Sequence, residues 1–101
     1  MPTTAHWNTL PTEVTNGVTR TLFAGEGADL KRIVIPAGTS APRHDHPHEQ
    51  FILVQSGTVV LTTATGTVTL AAGSVIRLEA GAWHEAEFPD DTVIVEVNLR
   101  A

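Results

Sequence analysis

The chain contains no cysteine. Disulfide frameworks, thiolate zinc sites and cysteine nucleophiles are therefore excluded. It also lacks any apolar run approaching the length of a membrane span. Met1 to Leu10 has neither a basic n-region nor an apolar h-region, so no signal peptide is expected. Positive charge is scarce: 6 Lys and Arg stand against 11 Asp and Glu, giving a net charge of -5 and a pI near 5.4. With no basic stripe, nucleic acid is not expected as a partner. No segment combines a helical apolar period with caps at both ends, and there is no internal repeat or low-complexity tract. Together these absences predict a soluble cytoplasmic protein. Its 101 residues suffice for a single domain with its own core.

What the chain does contain is threonine and valine in short apolar stretches, with glycine-bearing breaks between them about every eight to twelve residues. That pattern predicts an all-β sandwich or barrel. The candidate strands are Thr19 to Ala24, Leu30 to Pro36, Arg43 to His46, Gln50 to Gln55, Thr58 to Thr63, Thr67 to Leu70, Val75 to Leu78, Trp83 to Phe88 and Thr92 to Leu99. The breaks carry turn residues, among them Gly25-Glu26-Gly27, Ser56-Gly57, Ala80-Gly81 and Pro89-Asp90-Asp91. Residues 1–18 are polar and broken by Pro2, Pro11 and Gly17, so they read as a surface arm before a single domain over 19–101. Two strands, Phe51-Ile52-Leu53-Val54 and Val59-Val60-Leu61, are apolar on both faces. A half-buried antiparallel strand would alternate with polar residues. One face must therefore be buried outside the barrel, and a homodimer is expected to cover it.

Chemistry concentrates in two islands, His44-Asp45-His46-Pro47-His48-Glu49-Gln50 and Trp83-His84-Glu85, which hold four of the 5 histidines. Two histidines one residue apart on a strand share a face, and a third from another strand could close a metal site. Imidazole suits Zn, Fe, Ni and Cu, and less tightly Mn or Co.

The islands are framed by glycines. Gly38, His44, His46, Gln50 and Gly57 fit G-x5-H-x-H-x3-[E/Q]-x6-G, and Gly73, Glu79, Gly81, His84 and Phe88 follow at the spacing of a second motif. This pair resembles the two motifs of the cupin family over most of the chain, from about Leu30 to Leu99. The resemblance implies a double-stranded β-helix, or jelly-roll barrel, with His44, His46, Gln50 and His84 holding one divalent transition metal (Fe, Ni, Zn, Mn, Co or Cu). The residues agree: Pro47 stops the strand that carries two of the histidines, Gln50, Ile52 and Val54 share the inward face of the next, and His84 enters from a third. Three positions depart from the family pattern. Glu79 stands for proline and Phe88 for asparagine, which bear on turn stiffness and packing. Gln50 stands for glutamate, which bears on chemistry. An amide cancels none of the ion's charge, so the metal should be a stronger Lewis acid and harder to oxidise than beside a carboxylate.

The remaining polar residues read as surface groups. Asp45, Glu49, Glu85 and Glu87 should face outward, Arg77 should pair with a surface acid, Trp83 should pack at a turn, and His6 lies in the arm. His48 sits after Pro47, at the barrel mouth or in solvent, and is the candidate acid/base residue. The inward neighbours then identified are apolar (Ile33, Ile35, Ile52, Val54, Ala86 and Phe88). They suit a small organic ligand with one chelating end, and not a phosphorylated sugar, which would want inward Arg or Lys. The expected function is that of a metal-dependent enzyme acting on such a molecule, as a dioxygenase or a non-redox isomerase, lyase or cyclase. The alternative is a non-catalytic metal- or metabolite-sensing module.

Overall fold

Every strand expected from the sequence is present in the computed structural model, which describes residues 2–100, and one more precedes them. In chain order the strands are β1 (Thr12–Thr15), β2 (Val18–Ala24), β3 (Ala28–Ile35), β4 (Thr39–His44), β5 (Gln50–Ser56), β6 (Thr58–Thr63), β7 (Gly66–Ala71), β8 (Val75–Leu78), β9 (His84–Phe88) and β10 (Thr92–Leu99). The unforeseen strand, β1, is fully exposed and lies within the segment read as an arm. It pairs with β2 through a tight turn in which Asn16 and Gly17 both take positive φ. Ahead of it, residues Trp7–Thr9 make one 3-10 turn capped by His6, whose Nδ1 accepts from the Asn8 amide at 3.1 Å. No helix among the described residues is long and apolar enough to cross a membrane.

The strands form two antiparallel sheets, one in the order β1-β2-β3-β10-β5-β8 and the other β4-β9-β6-β7. The chain switches sheet between β3 and β4, β4 and β5, β5 and β6, β7 and β8, β8 and β9, and β9 and β10. This is the winding of a jelly-roll barrel. Ile33, Ile35, Val54, Val59, Leu61 and Phe88 meet between the sheets, each less than 9% exposed. Burial of a side chain of this size is worth about 1.5–3 kcal/mol.

Strand registers place the inward residues of the larger sheet in three successive rungs. Asn98 pairs with Gln50, which pairs in turn with Leu78. Next, Lys31, Glu96 and Ile52 lie side by side on β3, β10 and β5. Then come Arg20, Ile33, Ile94 and Val54. Apolar residues thus fill one end of the barrel, and polar ones gather toward the other.

The two sheets are pinned where β5 passes into β6. Thr92, 1% exposed, sets its hydroxyl oxygen 3.1 Å from the Thr58 amide, which donates to it, and 2.8 Å from the Asp90 carbonyl. Gly57 lies directly over this knot at φ 82, and a Cβ there would stand 2.6 Å from Thr92 Cα and closer still to the Asp91 carbonyl. Both the backbone conformation and the space require glycine. Gly57→Ala should therefore destabilise the fold by about 2–4 kcal/mol, adding left-handed strain to overpacking. Urea denaturation of the variant against wild type measures this.

Candidate metal centre

His44 ends β4 and faces His84 at the start of β9 as its register partner, across a bulge that follows Ala41. His46 lies beyond the end of β4, so the two histidines of the motif do not share one strand as expected. What positions His46 is a backbone hydrogen bond: the Gly81 amide donates to the His46 carbonyl at 2.8 Å, fastening the loop to the turn just before His84. The three rings converge, with centroids 4.2 Å apart for His44 and His84, 5.1 Å for His46 and His84, and 5.5 Å for His44 and His46. One nitrogen from each lies within 4.8 Å of the other two. Small rotations of the rings would bring all three nitrogens onto a single ion, since ligands bound at about 2.0–2.1 Å stand at most about 4.2 Å apart.

The donor chemistry fits as well. His44 Nδ1 stands 2.8 Å from the Pro42 carbonyl, which can only accept, so Nδ1 carries the proton and Nε2 keeps its lone pair. Burial holds the His46 and His84 rings below the ordinary histidine pKa, aided by repulsion from His48 and His44 for the first and from His44 for the second. The Ala82 backbone pulls His84 the other way without forming a well-aligned hydrogen bond. Both rings thus favour the neutral form that binds metals.

Gln50 is 2% exposed, on the inward face of β5. Its Nε2 donates to Asn98 Oδ1 at 2.7 Å, while its Oε1 is buried with no hydrogen-bond partner. A buried amide oxygen without a donor costs about 1–3 kcal/mol, and a cation at the histidine cluster would offset that cost. His84 Nδ1 is the other buried polar atom lacking a partner among the described residues.

His48 is half-buried and lines the same cavity, rather than standing in solvent. Its ring stacks on His46 at 4.5 Å, and its Nε2 lies 3.3 Å from Asn98 Oδ1, the oxygen that also accepts from Gln50. The surface residues behave as expected. Arg77 pairs with Glu49, Arg43 pairs with Glu85 at 3.6 Å and lies 3.7 Å over the Trp83 ring, and Asp45 is exposed.

The cavity above the histidines has a volume of about 530 Å³, and its walls are not apolar. Arg20, Lys31, Glu96 and Asn98 line it together with Ile33 and Ile94. The apolar inventory drawn from the sequence therefore needs correcting: two cations and an acid point inward from β2, β3 and β10, which removes the ground on which a phosphorylated sugar was set aside. Lys31 was legible, because it shares parity with Ile33 and Ile35. Glu96 and Asn98 were hidden by the apolar stripe on the opposite face of β10. Burial pushes the Glu96 carboxyl above the usual glutamate range, and Lys31, the Asn98 amide, His44 and Arg20 pull it partly back.

A carboxyl whose folded pKa is raised adds stability that is complete below its unfolded pKa and is lost as pH rises through the folded value. Glu96→Gln should therefore stabilise the protein relative to wild type at pH 7. The gap should close as pH falls toward the unfolded value of 4.5. Denaturant midpoints of the two proteins across this range, in chelator, test it.

Solved structures repeat the architecture at low identity. An RmlC-like cupin from Shewanella frigidimarina superposes with a TM-score of 0.87 at 17% identity, over 96% of this chain and 89% of that one. A predicted oxalate decarboxylase from Thermotoga maritima gives 0.84 at 19% identity, over 98% and 100%. KdgF from a Halomonas species gives 0.78 at 20%, over 93% and 92%. No curated protein matches the chain. At these identities the structural likeness speaks for the fold alone. The cupin domain profile, in contrast, matches residues 31–98, a span that holds both glycine-framed motifs and all three converging histidines. By its sequence, then, as by its winding, the chain belongs to the cupin domain family.

Proposed function

We propose that this cupin holds one divalent transition metal on His44, His46 and His84, with the Gln50 amide oxygen completing the set, and acts through it as an enzyme on a small organic molecule admitted to the barrel. The observation that carries this reading is the convergence of three ligand-ready imidazoles, two of which, His44 and His46, line a cavity large enough for such a molecule. When bound, the metal would supply Lewis-acid polarisation of a substrate oxygen. The chain's own residues do the rest. Asn98 fixes the direction of the Gln50 carbonyl. His48, held between His46 and Asn98, is the group placed to carry a proton at the cavity wall. The reaction is either a dioxygenation or a non-redox isomerase, lyase or cyclase step.

The outer face of the larger sheet supports a homodimer. Phe51, Leu53, Val75, Val93, Val95 and Val97 lie on it by register; Leu53 and Val75 are 39% and 71% exposed, and Val95 at its centre is already buried at 8%. A second copy would cover this contiguous apolar surface.

Elemental analysis of the purified protein should find about one transition metal per chain. His46→Ala and His84→Ala should each lose it, and Gln50→Ala should bind it roughly 10- to 100-fold more weakly. Stoichiometric metal in both histidine variants would remove the assignment. Turnover that tracks metal content separates an enzyme from a sensor, which would bind ligand without consuming it. For the dimer, light scattering should give twice the chain mass for wild type and the single mass for Leu53→Glu combined with Val75→Glu.

A further inference from the structure

The metal reading leaves the charged wall of the cavity unexplained. Only 6 residues of this acidic chain are Lys or Arg. Three of them, Arg43, Arg77 and Arg100, are paired with acids at the surface. Arg32 falls on the outer face of β3 by register. The remaining two, Arg20 and Lys31, are half-buried and line the cavity that the histidines share. Neither has a carboxylate within 4.0 Å among the described residues, although Glu13 is the register partner of Arg20 and Glu96 that of Lys31.

Partly desolvated cations without partners cost stability, and the fold does not need them there. The positions between Ile33 and the barrel mouth would accept apolar side chains as readily as their neighbours do. Their placement is explained by a ligand. At about 4.8 Å per strand, Lys31 and Arg20 originate roughly two and three strand spacings from the strand that carries Gln50. Their long side chains therefore address the far end of a molecule whose near end lies at the histidines.

We propose that Arg20 and Lys31 form a carboxylate-recognition pair, and that the substrate is a small oxygenated carboxylate, a hydroxy- or keto-acid, held by its carboxylate at this pair and by another oxygen at the metal centre. The proposal rests on the metal reading for the second contact only. The guanidinium of Arg20 presents a planar fork that matches a carboxylate, and Lys31 adds a point charge beside it. Glu96, next to Lys31, sets the valence. At this wall, two cations and one acid leave a single excess positive charge when Glu96 is ionised, which matches a monoanionic carboxylate, while the ion's own charge faces the other end of the ligand. The Glu96 oxygens can accept from the hydroxyl groups of such an acid, which an apolar wall could not do.

Ligand-observed NMR on the metal-loaded protein tests this with lactate, pyruvate and gluconate, each set against its methyl ester, and with phosphoglycolate. The acids should bind and the esters should not. Arg20→Gln and Lys31→Gln should each weaken acid binding roughly tenfold or more, the double variant should abolish it, and Arg20→Lys should restore part of it. Metal content, read by elemental analysis on the same samples, should not change in any of these variants. Esters binding as well as acids, no acid binding to metal-loaded wild type, or a double variant that binds like wild type would each overturn the proposal. Preference for phosphoglycolate would replace the carboxylate by a phosphate. Metal absent from wild type would defeat the metal reading instead, and the acid-over-ester preference would still be read at the charged wall.

Discussion

The 2.7 Å hydrogen bond from Gln50 to Asn98 is the contact on which the candidate site turns. Both residues lie on one rung of the larger sheet, one on β5 and the other on β10, and Gln50 is almost wholly buried. A buried primary amide has two chemically different ends, and nothing in the packing of a jelly roll decides between them. Asn98 Oδ1 can only accept, so it takes the Gln50 amino group and turns the carbonyl away. The same oxygen faces His48 Nε2. One asparagine therefore orients the neutral fourth member of the proposed ligand set and the ring placed to carry a proton. It does so from a strand that supplies no ligand itself.

That arrangement gives the neutral ligand set a structural reason. A glutamate at position 50 has no proton to give Asn98 Oδ1, so Asn98 would have to turn its Nδ2 toward it and give up the acceptor it shares with His48 Nε2. Glutamine and Asn98 belong together. The consequence is electrostatic: three imidazoles and an amide bring no negative charge to the ion, and Glu96, one rung away, is the nearest inward carboxyl on β10. The positive end of the cavity is thus left largely uncompensated by the protein, which favours anionic ligands over neutral ones.

Much of this was legible in the sequence. Glycine-framed spacing identified the motifs, and the three histidines meet because His44 pairs with His84 across β4 and β9 and the Gly81 amide holds the loop that carries His46. β-strand boundaries agreed to within a few residues, except that β4 ends at His44 and leaves His46 outside it, beyond an irregularity between Ala41 and His44 that Pro42 marks. The charged wall was harder to see. On β10 the stripe Val93, Val95, Val97 and Leu99 looks like the core face by composition, yet it is the outer one, and Ile94, Glu96 and Asn98 turn inward. Alternation identifies two faces without saying which is inside. When the inside is a binding site and the outside is apolar, the more hydrophobic face points the wrong way. β1 escaped notice for a related reason: all four of its residues are exposed, so no burial pattern marks it.

The same inversion ties stability to function. At its site end the larger sheet spends its inner face on Gln50, Asn98, Lys31, Glu96 and Arg20, none of which brings the burial free energy of an isoleucine. Apolar area surrendered inside must be recovered elsewhere if a domain of this size is to remain folded. The outer face of β5, β8 and β10 is where the sequence places it, in valines, leucine and phenylalanine that the single chain leaves partly exposed. A partner copy on that face would supply what the polar interior lacks. The proposed association and the proposed metal-bearing cavity would then be two consequences of one constraint: a ten-stranded barrel of 101 residues has too little surface to be apolar on both sides of its larger sheet and still bind a polar molecule within it.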